Sequence, residues 1–199
     1  MSRAQRSDKV LVLLLLSMSV LLNILLVPNV HTLKNSYTIE TRRNELKQHE
    51  KFVGEKLPPL TGLPINGAGA PAPISYTSNM DTIVYVLSPT CHFCAQNMEN
   101  MRSLELHTRG RYGFIGLTLD NTGMDAFIRS NKIDFPIIGS IPSTVSTAYG
   151  LAATPETLLV SPDGTIKKIW QGAYSPAMVS EINYIFDVKL PGLHPIRNN

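Results

Sequence analysis

The chain has 199 residues, 43% of them hydrophobic, with 18 lysines and arginines against 15 aspartates and glutamates, and two cysteines. That length suits one ordinary domain with appendages and excludes two generous ones. The net charge of +3 is scattered after the first nine residues and offers no basis for nucleic-acid binding, while a single cysteine pair with no stray thiol fits an oxidising, extracytoplasmic compartment.

Val10 to Val27 carries no charged side chain. As a helix it would be roughly 27 Å long, near the lower limit for crossing a bilayer core, and it extends to Val30 if needed. Arg3, Arg6 and Lys9 precede it, and basic residues before a first apolar helix stay on the cytoplasmic side, so the remainder is expected outside. A cleaved signal peptide is the rival reading; the run exceeds a usual h-region, and Val27-Pro28-Asn29-Val30-His31 lacks the small-x-small pattern of a cleavage site. A buried core helix fits poorly with a run apolar on every face.

Residues 39 to 54 are polar on nearly all faces and predict a solvated helical stalk, with no heptad seam for a coiled coil. The proline- and glycine-dense stretch 57 to 73 predicts short edge strands and turns. Asp81 to Leu87, nearly continuously apolar, predicts a central strand covered on both faces. From Cys91 to His107 there is no proline or glycine, and Phe93, Met98, Met101, Leu104 and Leu106 suit a helix that begins at the cysteines.

A second strand is expected over Gly113 to Leu119. A helix holding Met124, Phe127 and Ile128 follows, capped by Asn121 or Thr122. Ile133 to Ile138 is a further short apolar run, and a Ser/Thr-rich helix candidate leads to Tyr149-Gly150. Thr157 to Val160, Ser161-Pro162-Asp163-Gly164 and Thr165 to Trp170 specify an antiparallel hairpin, and Ser175 to Val188 a closing helix. The order strand, helix, strand implies a parallel pair, to which the hairpin adds antiparallel edges. The domain boundaries read as a basic cytoplasmic tail over 1–9, a transmembrane anchor over 10–30, a polar stalk over 31–56, a folded α/β domain over 57–188 and a tail over 189–199.

The chemistry sits at Cys91-His92-Phe93-Cys94. A helix N-terminus presents unpaired N–H groups, and an anion there gains up to about 2 kcal/mol, enough to lower a thiol pKa by roughly one unit from about 8.5. Cys91 at the tip is then a nucleophile near neutral pH, and Cys94, one turn on, can resolve the mixed disulfide. His92 as a cation would stabilise the thiolate, although an exposed helical histidine is an equal reading; Phe93 reads as a surface or groove residue. A zinc site lacks a second cysteine pair, and covalent haem attachment would need histidine where Ala95 stands, so neither metal nor other cofactor is expected beyond a redox-active Cys91–Cys94 disulfide.

Leu57 to Val188 resembles the thioredoxin-like fold, a central mixed sheet flanked by helices, as elaborated in the membrane-anchored TlpA/ResA-like and cytochrome-c-maturation thioredoxins. The resemblance is carried by the strand into Cys91-His92-Phe93-Cys94, by Ile133-Asp134-Phe135-Pro136, and by Tyr149 to Gly164 with its Thr154-Pro155-Glu156-Thr157. It implies a cis Pro155 facing the cysteines, with Thr154 offering its backbone to a substrate strand, and Glu156 helping to set the thiol pKa or contacting the partner. Ser88-Pro89-Thr90 before Cys91 is more like the approach in MauD-type proteins. Tyr85 and Asn97 stand where the family carries carboxylates, which puts proton handling in question.

The expectation is a single-pass inner-membrane protein with a periplasmic domain, a thiol–disulfide oxidoreductase acting on protein thiols and disulfides. Reduction of client disulfides in cytochrome c or metalloenzyme maturation is the first choice, with an upstream membrane electron donor or acceptor. The alternatives are an oxidase or isomerase, or a non-enzymatic scaffold. Related proteins span roughly −270 to −120 mV, about 7 kcal/mol, and direction is not legible in the residues between the cysteines.

Overall fold

The computed structural model describes residues 15–20, 51–58, 60–65, 72–74, 79–148, 151 and 153–193. The chain divides into two compact units, 1–48 and 49–199. In the first, residues 15–20 are helical, with Leu15, Leu16, Met18 and Val20 exposed; the rest of the expected anchor, the basic tail and the stalk up to residue 50 lie outside the described residues. Among the described residues no helix is long and apolar enough to cross a membrane.

The second unit is built on one mixed sheet. Its strands are β1 (Leu60–Pro64), β2 (Ala72–Ile74), β3 (Thr82–Leu87), β4 (Gly113–Thr118), β5 (Ile137–Gly139), β6 (Glu156–Val160) and β7 (Ile166–Gln171), in the order β2-β1-β5-β4-β3-β6-β7. β3 pairs with β4 in parallel, as the strand–helix–strand order implies, and with β6 antiparallel, while β6 and β7 form the expected antiparallel hairpin. The proline-rich entry forms β1 and β2 as anticipated, but β1 also pairs antiparallel with β5 and so extends the sheet inward.

Among the described residues four helices accompany the strands: α1 (His92–Thr108), α2 (Met124–Asn131), α3 (Ser143–Ala148) and α4 (Pro176–Phe186). Every residue of β3 is buried, because successive side chains serve opposite faces and both are covered. Ile83, Tyr85 and Leu87 pack with Met98, Met101 and Leu104 of α1 and with Ile182 and Phe186 of α4. Val84 and Val86 pack on the other face with Leu117, Ile138, Leu158 and Val160, where Val145 of α3 joins them. Each such burial contributes roughly 1.5–3 kcal/mol, and β3 draws on both layers. Gly116 of β4 has no room for a side chain: a Cβ there would lie 3.0 Å from Ile137 Cγ1 and 3.1 Å from Phe135 Cε2.

Two local expectations are corrected. The helical stalk expected over residues 39–54 does not reach its end as a helix. Instead 51–54 form a turn, and Glu55 to Leu57 run along the outer edge of β7, with Gly54 N donating to Ile166 O and Leu57 N to Gly164 O. Leu57 and Phe52 pack into the second core layer, and that burial draws the segment onto the domain. The second correction concerns α2, whose N-cap is Gly123 rather than Asn121 or Thr122. At φ 78 it has the left-handed conformation glycine adopts without steric cost, and no side chain caps the helix.

A candidate redox-active site at the tip of α1

The site begins where β3 ends. Ser88-Pro89-Thr90 turns the chain, with Cys91 N donating to Ser88 O at 3.1 Å and the Ser88 and Thr90 hydroxyls 3.0 Å apart. Cys91 then adopts an extended conformation as the N-cap of α1, and Cys94 N donates to its Sγ at 3.1 Å. This is the place usually taken by serine or aspartate, whose side chain satisfies one of the orphan N–H groups of the first turn. A thiolate at Cys91 therefore finds an N–H donor and the positive end of the helix already in place.

Cys91 and Cys94 are disulfide-bonded, their Cα atoms 5.2 Å apart. The two sulfurs differ in access. Cys91 is half-buried at the tip, whereas Cys94 is fully buried against the core. Opposite Cys91 stands the loop before β6, where the Thr154–Pro155 peptide is cis, as the resemblance implied. Thr154 O lies 3.3 Å from Cys91 Sγ, a contact in which a Cys91 thiol could donate after reduction. Gly172 N donates to Pro155 O at 2.8 Å, anchoring this loop to the end of β7.

The remaining residues singled out in the sequence are distributed around this pair. His92 is exposed on the first turn, 3.2 Å from the Gln96 amide, with its ring 5.8 Å from that of Phe93. Phe93 is 59% exposed, the apolar residue nearest in sequence to the reactive sulfur. Glu156 is buried, and burial pushes its carboxyl up to about 8. It pairs with Val86, and directly opposed residues share a sheet face, so Glu156 stands on the face of Val84 and Leu158 rather than that of Tyr85.

Behind Cys94 lies a buried polar set that sequence reasoning did not assemble. Asn97 Oδ1 accepts from Asn100 Nδ2 at 3.0 Å and from Tyr174 N at 3.3 Å. Tyr174 and Thr157 hydroxyls are 2.8 Å apart, and Asn100 Oδ1 accepts from Gly192 N at 2.9 Å. Asn97 and Asn100 follow Cys94 at intervals of three, which places all three on the inward face of α1. That spacing was legible. The partners at 174 and 192 come from distant segments, and no local signal announced them.

A helix N-terminal cysteine pair, one sulfur accessible and one buried, facing a cis-proline loop on a central mixed sheet, defines a thioredoxin-like thiol–disulfide oxidoreductase. The sequence pattern of the AhpC/TSA family matches residues 53–169, more than half of the chain, and the chain belongs to that family. Among curated proteins, none matches the chain.

Solved structures with the same fold include StoA from Bacillus subtilis, at 19% identity and a TM-score of 0.51 over 62% of this chain and 94% of that one. The thioredoxin domain of a thiol-disulfide oxidoreductase from Bacteroides vulgatus is similar at 14% identity and a TM-score of 0.55, over 67% and 97% of the two chains. A secreted Mycobacterium tuberculosis disulfide oxidoreductase, described as homologous to E. coli DsbE, gives 17% identity and 0.52, over 63% and 94%.

Proposed function

We propose that the chain is a membrane-tethered, extracytoplasmic reductase of client-protein disulfides in which Cys91 attacks and Cys94 resolves. The observation that carries the assignment of roles is the difference in access between the sulfurs. Only Cys91 is reachable by a second protein, and it alone accepts an N–H from the first turn of α1. The reduced Cys91 thiolate attacks a client disulfide, one client sulfur leaves as thiolate, and a mixed disulfide remains. Cys94 then attacks Cys91 Sγ, releasing the second client sulfur and closing the Cys91–Cys94 bond. Thr154 and Pro155 form the opposing wall against which an extended client segment lies, and Phe93 supplies apolar contact beside it.

Tethering rests on the uncharged run Val10 to Val27 behind three basic residues, and the outside location on the same asymmetry together with the lone cysteine pair. A role in cytochrome c or metalloenzyme maturation, fed by a membrane electron donor, rests on the sequence resemblance set out above. The contrary direction, oxidation, has one observation in its favour: the Cys94 N–H held at Cys91 Sγ stabilises the thiolate, hence the reduced protein, which makes the disulfide a stronger oxidant.

The test is twofold. A Cys94→Ser variant of the full chain is expected to accumulate mixed disulfides with clients through Cys91, and a Cys91→Ser variant none; equal trapping by both would overturn the roles. A reduction potential near −270 mV would support reductase function, and one near −120 mV would replace it with oxidase function. A scaffold that merely holds the disulfide would show no turnover in either direction, and a loop this short gains little stability from its bridge.

A further inference from the structure

Asn97 is fully buried on α1, one turn after Cys94, on a helix whose other buried residues include Met98, Met101 and Leu104. A side-chain amide taken out of water costs stability unless it is bonded, so its partners indicate what it holds. Asn97 Oδ1 accepts from Tyr174 N at 3.3 Å, and Asn100 Nδ2, which donates to the same oxygen at 3.0 Å, orients the side chain. Tyr174 closes the short segment Gly172-Ala173-Tyr174 between β7 and α4. The other end of that segment is bonded to the loop before β6, where Gly172 N donates to Pro155 O at 2.8 Å. Tyr174 Oη, 2.8 Å from Thr157 Oγ1, ties the segment to β6 itself.

These contacts close a ring around the cleft. It runs from Cys91 Sγ across 3.3 Å to Thr154 O, from Pro155 O to Gly172 N, and along 172–174. From Tyr174 N it passes to Asn97 Oδ1 and returns along α1 to the cysteines. Apolar packing seats α1 on the sheet, but it is non-directional, whereas Thr154 and Pro155 lie before the first residue of β6 and take their place from directed bonds. We propose that Asn97 is a positioning residue: by accepting the Tyr174 N–H it sets the spacing between the tip of α1 and the Thr154–Pro155 wall, and so selects an extended polypeptide as substrate over a small disulfide. This rests on the client seat proposed above, between Cys91 and that wall. Asn97 acts through residues 172–174, and the chemistry stays with the sulfurs.

The test compares two substrates with the same reacting sulfur and the same leaving group. One is an uncharged peptide of about ten residues whose single cysteine is joined in a mixed disulfide to a chromogenic arylthiol. The other is N-acetylcysteine amide joined to the same arylthiol, which has no chain to lie against the wall. In each, the Cys91 thiolate of reduced full-length protein attacks the cysteine sulfur, the bond to the aryl sulfur breaks, and the arylthiolate leaves with the electron pair. Cys94 then releases the peptide or the amide as a second thiol. Stopped-flow absorbance gives the rate constant of the first release for both substrates. Their ratio cancels any change in thiol reactivity or in the fraction folded, so a merely structural role would not move it. The peptide is expected to react about tenfold faster than the amide with wild type, and within about twofold of it with Asn97→Leu, which fills the site but offers no acceptor. Asn97→Asp keeps an oxygen at the Oδ1 position and is expected to recover most of the advantage.

An unchanged ratio in Asn97→Leu would overturn the proposal, as would failure of Asn97→Asp to restore it. Equal rates for peptide and amide with the wild type would instead overturn the seat of the client against Thr154 and Pro155, and the positioning role with it. Should Asn97→Leu not fold, Asn97→Ala carries the test, since it removes the acceptor without adding bulk and is expected to lose the same advantage.

Discussion

Glu156 offers the most direct test of the electrostatics of this fold. Its carboxyl is fully buried at the start of β6, and its pKa is pushed from 4.5 up to about 8 because the charged form loses water on folding. Between those two values the native state holds a proton that the unfolded chain has released. Stability therefore falls as pH rises through this window, by up to about 1.4 kcal/mol per pH unit, and is fully present only below pH 4.5. Glu156→Gln replaces the acid with a neutral side chain of nearly the same shape and removes the linkage. The variant is expected to match the wild type near pH 4.5, and to exceed it by at most about 3 kcal/mol at pH 7 and about 5 kcal/mol above pH 8. Urea denaturation followed by the fluorescence of Trp170, the chain's one tryptophan and itself buried, measures both proteins across pH 4.5 to 8.5. The difference between them isolates this group from every other titration. A difference that does not change with pH, or one that shrinks as pH rises, would refute the assignment of a neutral buried carboxyl.

Three further outcomes are expected. Tyr174→Phe leaves the buried Thr157 hydroxyl without its 2.8 Å partner and is expected to destabilise the domain by about 1–3 kcal/mol; pairing it with Thr157→Val should recover much of that loss, which a double-mutant cycle by urea denaturation reads directly. Gly116→Ala forces a methyl against Ile137, Phe135 and Leu87 at the centre of the sheet and is expected to cost about 1–3 kcal/mol by the same assay, whereas an unchanged midpoint would mean that the β4–β5 contact yields. Cys91→Ser should abolish disulfide-reductase turnover, while Cys94→Ser should retain a first stoichiometric release of client thiol and no more, as single-turnover thiol release distinguishes.

The central sheet was legible because its pattern has few solutions. A nearly continuous apolar strand before a proline-free segment predicts a covered strand and a helix, and β3 and α1 have those places. The Pro-Asp-Gly turn likewise specified the β6–β7 hairpin. What escaped was set by long-range burial. The pairing of β1 with β5 depends on segments more than 70 residues apart, and the attachment of residues 54–57 to the edge of β7 depends on Leu57 finding an apolar layer that a reading of local polarity does not display. At the site, the cysteines and the cis Pro155 were identifiable. The condition of Glu156 was not, since a glutamate in a strand reads the same whether its face is wet or dry.

The period of two along β3 separates the chemistry of the domain into two compartments. Tyr85 is on the side of α1 and the sulfurs, and Val86, the partner of Glu156, is on the other. A carboxyl that is neutral up to about pH 8 and stands across the sheet adds little field at Cys94 over most of the neutral range, and starts to add a repulsive one only as it ionises. Resolution by Cys94 should therefore escape the influence of Glu156 below about pH 8 and register its charge above it. A pH profile of the second thiol release with Glu156→Gln beside the wild type separates the two contributions, because only the departure above pH 8 should disappear.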